Sequence, residues 1–189
     1  MRTKKTVVIL VSGLAGSGKN TVSEMLHVVL SNIDKNITTD LYSLAEPIKY
    51  MSRAFLGWNG EKDDSGRRLL QNLGKVGREY DIDIWVKHMF NQLDKRHTFP
   101  VNFVIVTDWR FPNEKEYIES NPMSEVYTVR VVGRKTSIAN EELAKDVSEI
   151  SLTDDGEYDA IIDNVSDLEA LEKQVDILAS AIQDKYIVE

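Results

Sequence analysis

Seven residues constrain this chain more than any others. Gly13-Leu14-Ala15-Gly16-Ser17-Gly18-Lys19 directly follows an apolar, largely β-branched run, Thr6–Ser12, and directly precedes a helical pattern that continues through Ser31. Glycines at this spacing let backbone N–H groups curl around an anion, and the N-terminus of the following helix adds a favourable dipole. Lys19 contributes a mobile point charge. In this strand–loop–helix context the glycine-rich turn reads as a phosphate cradle, the Walker A arrangement, built from Gly13, Ala15, Gly16, Ser17, Gly18, Lys19, Asn20 and Thr21. Asn20 stands where a Ser or Thr normally helps hold Mg2+, and Thr21 follows one residue later. Either Thr21 supplies the hydroxyl, or Mg2+ is held by phosphates, water and a distant carboxylate.

A cradle needs a sheet behind it. Strand-like runs fall at 6–12, 36–41, 102–107, 125–132 and 158–163, with helical patterns between them, so the chain reads as α/β with a mostly parallel sheet. Between Ser43 and Gln92 only helices are expected, two or three in succession. Ser43-Leu44-Ala45-Glu46 and Ser166-Asp167-Leu168-Glu169 both have the capping-box pattern. The second opens a helix whose stripe of Leu168, Leu171, Val175, Leu178 and Ile182 reads as core.

The net charge of −8 disfavours anionic ligands only until its distribution is read. Of 31 acidic and 23 basic residues, 15 and 3 lie from Glu141 onward, leaving 16 and 20 before it. The phosphate-binding part is therefore net basic, and the acidic part serves solubility. No dense basic stripe with interleaved aromatics indicates a nucleic acid polymer as partner. The absence of cysteine excludes disulfides and thiolate chemistry. The apolar run after the basic residues 1–5 is too short to span a bilayer and lacks a signal-peptide cleavage pattern, so no membrane association and a cytoplasmic location are expected.

Phe103-Val104-Ile105-Val106-Thr107-Asp108 is an apolar strand ending in a carboxylate suited to the Mg2+ shell, directly or through water; such an aspartate also serves simply as a helix cap. Arg110 follows at the strand's C-terminal edge, where ligands of open α/β sheets bind. Arg134 and Lys135 read either as a lid acting on the transition state or as solvated loop charges. In the helical stretch, Arg67, Arg68, Gln71 and Arg78 have spacings that align several of them on one helix face. Gly74 reads as a break or a point of close approach, and Trp85 as core or as a base-stacking platform.

Four stretches carry a family resemblance: Gly18-Lys19-Asn20-Thr21; Ser43-x-Ala45-x-Pro47-x-Lys49; Leu70-Gln71-x-x-Gly74 to Arg78 to Trp85; and Thr107-Asp108-x-Arg110-Phe111-Pro112-Asn113-Glu114. A weaker fifth is Ser148-Glu149 followed by Tyr158-Asp159-x-Ile161-Ile162-x-Asn164. On these residues the chain resembles the deoxynucleoside monophosphate kinases of the bacteriophage type and, more distantly, the animal phosphomevalonate kinases. Glu46 departs from the aspartate expected before Pro47.

The resemblance implies a three-layer P-loop NTPase fold with a parallel five-stranded sheet of order 2-3-1-4-5. It implies one kinase domain over 1–189, with a helical substrate-binding insert at about 42–95 and a short lid at about 133–150. It implies Mg2+ and ATP, with the γ-phosphate passing to a (deoxy)nucleoside monophosphate in deoxynucleotide metabolism. Ser43, Lys49, Arg67 or Arg68, Gln71, Arg78 and Trp85 would face the acceptor, and Lys19, Arg110, Asp108 and Arg134 the reaction. A phosphomevalonate-like acceptor and a non-catalytic nucleotide-sensing module stand as alternatives. The oligomeric state is open, a homodimer included.

Overall fold

The structure, a computed structural model, describes residues 5–35, 37–96, 103–134, 136–153 and 156–187, and the side chains of these apart from 94–96. Asn36, Asn102 and Lys135, which figure in the expectations above, lie outside the described residues. In chain order the elements are β1 (Thr6–Ser12), α1 (Lys19–Ser31), β2 (Thr39–Tyr42), α2 (Glu46–Leu56), α3 (Asp64–Tyr80), α4 (Ile84–Arg96), β3 (Phe103–Val106), α5 (Pro112–Glu119), β4 (Ser124–Val132), α6 (Glu141–Ala144), α7 (Val147–Ile150), β5 (Ala160–Asp163) and α8 (Leu168–Tyr186).

The uninterrupted apolarity of β1 has a direct structural cause: both of its faces are covered. Val7, Ile9 and Val11 pack with Val22, Leu26 and Leu30 of α1 and with Leu171, Val175, Leu178 and Ile182 of α8. Val8 and Leu10 pack on the other side with Ile48 of α2, Trp85, Val86 and Met89 of α4, and Ile118 of α5. Each fully buried side chain of this size contributes about 1.5–3 kcal/mol, so the three layers hold one another. The sheet has the expected order β2-β3-β1-β4-β5, every pairing parallel. Parallel strands place all their C-terminal ends at one edge, and that edge carries the loop after β1, Ser43 after β2 and Asp108 after β3. The chain thus has the P-loop NTPase fold. Among the described residues no helix is long and apolar enough to cross a membrane.

Local expectations shift where a side chain finds a distant partner. β2 begins at Thr39 because a turn closed by Ile37 N–H on the Asp34 carbonyl precedes it. β5 begins at Ala160 because the Asp159 carboxylate takes the N–H and Oγ1–H of Thr128. The first capping box does not form. Ala45 is the N-cap of α2, with no side-chain cap, and Ser43 donates its hydroxyl to Asp108. The second shifts by one residue: Asp167, not Ser166, caps α8 by accepting from Ala170 N–H at 2.9 Å. Leu168 at the start of α8 is exposed, whereas the other four members of its stripe are buried.

Among the described residues, three helices do fill the interval between β2 and β3. α3 runs unbroken through Gly74, so that glycine marks close approach, not a break; Ile48 Cδ1 lies 3.4 Å from where its Cβ would be. Gly77 is the tighter position. A Cβ there would lie 2.2 Å from Cζ2 of Trp85, whose indole N–H donates to the Gly74 carbonyl. Trp85 therefore clasps α3 to α4, and the insert shares the core of the sheet.

Candidate functional site

A cavity of about 520 Å3 opens at the C-terminal edge of the sheet, between the loop after β1 and the insert. Ala15, Gly16, Gly18, Lys19, Asn20 and Thr21 line it from the loop, while Gly13 and Ser17 do not reach its surface. Gly18 holds the loop's turn into α1 at φ 93°, a left-handed conformation that other residues rarely adopt. A Cβ at Gly18 would also lie 2.2 Å from the amide nitrogen of Asn164, which donates to the Ser17 carbonyl at 2.8 Å. Asn164, at the end of β5, thus fixes the loop from behind. The Lys19 ammonium rests on the Leu14 carbonyl at 3.1 Å, and burial, with Arg110 nearby, pulls its pKa down to about 8. Ser17 Oγ is buried without a hydrogen-bond partner among the described residues. An unpartnered buried hydroxyl in a glycine-rich loop of this kind fits an anionic ligand.

The second wall comes from β3 and the turn after it. Asp108 accepts from Ser43 Oγ at 2.7 Å, Leu44 N–H at 2.7 Å and Ala45 N–H at 3.0 Å. The carboxylate therefore anchors the start of α2 while still lining the cavity. With Thr21 it offers hard oxygen donors on one side of the cradle, and Mg2+ is commonly held by one or two carboxylates plus substrate phosphates. Among the described residues there is no group of three or more His, Cys, Asp or Glu side chains positioned to hold a metal. Thr21 and Asp108 therefore suit a metal that arrives with phosphate.

Arg110 donates through one guanidinium nitrogen to the Ser148 carbonyl at 2.7 Å and to the Glu149 carboxylate. Its backbone N–H and that of Phe111 both donate to the Glu114 carboxylate, at 3.0 and 3.1 Å. Phe111 in turn supports the Arg78 guanidinium, 4.1 Å above its ring. Glu114 is 5% exposed, and burial raises its pKa from 4.5 to about 7. A folded-state pKa above the unfolded one contributes stability that is present below about pH 4.5 and is lost as pH rises through 7. Glu114→Gln fixes the neutral form, so urea unfolding should show a smaller stability loss between pH 5 and pH 8 in the variant than in the parent. The difference should be on the order of 1–3 kcal/mol, and equal pH dependence would show that the carboxyl ionises without penalty.

The insert's side of the cavity is formed by Ser43, Ala45, Ile48 and Lys49 from the α2 segment and by Arg67, Leu70, Gln71, Gly74 and Arg78 from α3. Arg67 and Arg68 separate here. Arg68 points outward to Glu142 at 3.1 Å and does not line the cavity, while Arg67 does. Gln71 also lines it and donates to the Leu143 carbonyl at 3.1 Å. Arg78 lines the cavity with its pKa lowered by burial, so a surface pairing with Glu79, Asp81 or Asp83 does not describe it. Trp85 is 7% exposed and absent from this lining; with Tyr42, Tyr50 and His88 it borders an adjoining cavity of about 800 Å3 that shares Asn20, Ser43, Lys49 and Thr107 with the first. One cation escaped the sequence reading. Lys62, just before the N-cap of α3, lines the cavity with its pKa lowered by burial and then by Lys49, Arg67 and Arg110.

The segment after β4 covers the loop. Ile138 and Leu143 pack on Ala15, and Ser137 N–H donates to the Ala15 carbonyl at 2.7 Å. Arg134 lines the cavity and rests on Asn164, donating to its backbone carbonyl at 3.0 Å and its side-chain oxygen at 3.3 Å. Seven cations (Lys19, Lys49, Lys62, Arg67, Arg78, Arg110 and Arg134) therefore face one cavity against two carboxylates, Asp108 and Glu149. All seven precede Glu141, in the part of the chain with the basic excess.

Neither a family model nor a curated protein matches the chain. Solved structures match it over nearly its whole length. TT1252 from Thermus thermophilus aligns at a TM-score of 0.54 and 16% identity, over 95% of this chain and 99% of that one. Kti12 from Chaetomium thermophilum, in complex with ADP-AlF3, aligns at 0.50 and 14%, over 93% and 98%. The Mycobacterium tuberculosis APS kinase CysC, in complex with AMPPNP and APS, aligns at 0.47 and 11%, over 96% and 97%. At these identities the likeness is one of fold, and with the sheet order it defines the class as a P-loop NTPase fold.

Proposed function

We propose that the chain is a kinase that transfers the γ-phosphate of ATP to the phosphate of a small acceptor, a (deoxy)nucleoside monophosphate in the first instance. The observation that carries this reading is the sevenfold convergence of cations on a cavity whose two carboxylates are both already bonded. A site of that charge in a chain of net charge −8 is suited to a ligand pair with several phosphates. The loop and Lys19 would hold the donor, with Arg134 reaching the transferred group from the lid. Lys49, Lys62, Arg67 and Arg78 would hold the acceptor, and the segment at about 133–150 would act as the lid. Thr21 and Asp108 would hold Mg2+, which supplies charge neutralisation on the donor phosphates when bound.

An acceptor phosphate oxygen attacks the γ-phosphorus as the bond to the ADP oxygen breaks. The acceptor is already an oxyanion, so positioning and charge stabilisation by Lys19 and Arg110 suffice without a strong general base. One observation favours a second acceptor class. No aromatic side chain lines the cavity among the described residues, while four cations sit on its acceptor side. An isoprenoid phosphate of the phosphomevalonate type would need no stacking platform. ADP release across deoxy- and ribonucleoside monophosphates plus phosphomevalonate tests the reading. Turnover with a nucleotide alone supports the first class, and ATP binding without ADP release from any acceptor would make the chain a nucleotide-sensing module.

Arg78 is the residue that should report the acceptor most cleanly. Arg78→Ala should raise the acceptor KM by roughly ten- to a hundredfold, the worth of one charge-assisted hydrogen bond, and leave ATP binding nearly unchanged. Calorimetric titration with ATP and, separately, with the preferred acceptor checks this. Unaltered acceptor affinity would return Arg78 to a purely structural role on Phe111.

A further inference from the structure

Arg110 is held from one side only. Its bonded guanidinium nitrogen spends both hydrogens, one on the Ser148 carbonyl and one on Glu149. The Glu149 side chain is only 8% exposed. Both acceptors belong to α7, whose N-cap Asp146 takes the N–H and the hydroxyl of Ser148 at 2.9 and 2.6 Å. The remaining planar edge of the guanidinium, Nε–H with the second terminal nitrogen, makes no hydrogen bond among the described residues, on a side chain that lines the phosphate cavity. That edge has the geometry for two parallel bonds to a phosphoryl group.

We infer that Glu149 is a positioning residue: by clamping Arg110 through one nitrogen, it presents the free edge of the guanidinium to the transferred phosphoryl group. This inference rests on the phosphoryl-transfer reading above. Because the clamp comes from the segment whose Ser137 N–H bonds the Ala15 carbonyl and whose Leu143 carbonyl takes the Gln71 amide, the alignment of Arg110 depends on the seating of that segment. Glu149 thereby ties that seating to transfer and keeps a buried carboxylate in a cavity that otherwise selects anions.

The test measures ADP release at saturating ATP and acceptor. Glu149→Ala should lower kcat on the order of 10- to 100-fold, the usual cost of a misplaced reacting geometry, with the KM of ATP within about twofold. Glu149→Gln, whose amide oxygen still accepts from the guanidinium, should recover most of that loss. In an Arg110→Lys background Glu149→Ala should add less than about a twofold effect, since residues acting as a unit are not additive. A wild-type kcat in Glu149→Ala, or an undiminished effect in the Arg110→Lys background, overturns the assignment. Should the alanine variant not fold, Glu149→Asp, one methylene short, carries the same expectation of lowered kcat. If the parent protein transfers phosphate to no acceptor, the kinase reading fails, and amide exchange of the ligand-free protein still decides the clamp. Faster exchange in residues 147–150 of Glu149→Ala than in Glu149→Gln supports it, and unchanged exchange in Glu149→Ala overturns it.

Discussion

Lys19→Ala should abolish turnover, with a loss of about 10^3-fold or more, in a protein that folds at least as well as its parent. The two halves of this expectation have separate causes. Catalytically, Lys19 is the one cation that both belongs to the loop and lines the cavity, so no neighbour replaces it at the donor phosphates. Energetically, its ammonium is buried and hydrogen-bonds only the Leu14 carbonyl among the described residues. Burial and then Arg110 hold its pKa near 8, below the usual 10.5. A lowered amine pKa means that the folded state carries a penalty in full below pH 8, relieved as pH rises from 8 toward 10.5. Alanine removes that penalty, so its stability advantage should be greatest near pH 7 and fade above pH 8. Thermal unfolding at pH 7 and pH 9.5, beside an ADP-release assay, checks both halves. Turnover like the parent's would take the loop out of the reaction, and a large drop in Tm at pH 7 would show Lys19 to be a structural residue.

How much of this was legible beforehand depended on the reach of each interaction. The cradle and β1 are local, so a strand followed by glycines and a lysine fixed both. On α3, the spacing of Arg67, Arg68, Gln71 and Arg78 aligns several of them on one face, and Arg67, Gln71 and Arg78 do line the cavity. Arg68, one residue along, is turned by about 100° and finds Glu142 instead, a choice that spacing alone left open. Lys62 was invisible because it lies between Glu61 and Asp63, where a lysine reads as a solvated loop charge. Its place in the cavity follows from how the α2–α3 connection folds back. Ser43 failed as a cap because Asp108, 65 residues away, competes for its hydroxyl. The sequence leaves Trp85 as core or stacking platform; its burial against Gly77 places it in the core. The partners of Glu149 and Asn164 lie 39 and 147 residues distant, so a motif could flag these residues without saying what they hold.

Arg110→Lys should cost on the order of 10^2-fold in kcat while the KM of ATP stays nearly constant. The argument is one of geometry at constant charge. Arginine uses one nitrogen on Ser148 and Glu149 and keeps a planar edge for the phosphoryl group. A lysine ammonium is a single point on a flexible stem: if it bonds Glu149, it no longer presents a paired edge to phosphate. Charge developing on the transferred group is met less well in the transition state, while the ground-state attraction for ATP is carried by Lys19, the loop and the other cations. The loss should therefore fall on kcat. Phe111 and Glu114 hold the backbone of this turn through bonds that do not involve the Arg110 side chain, so the fold should be intact, with Tm within a few degrees of the parent. Steady-state kinetics with ATP varied at saturating acceptor, then the reverse, separates the outcomes. A change confined to the KM of ATP would make Arg110 a donor-holding residue, and a change confined to the acceptor KM would place it with Arg78 on the far side of the cavity.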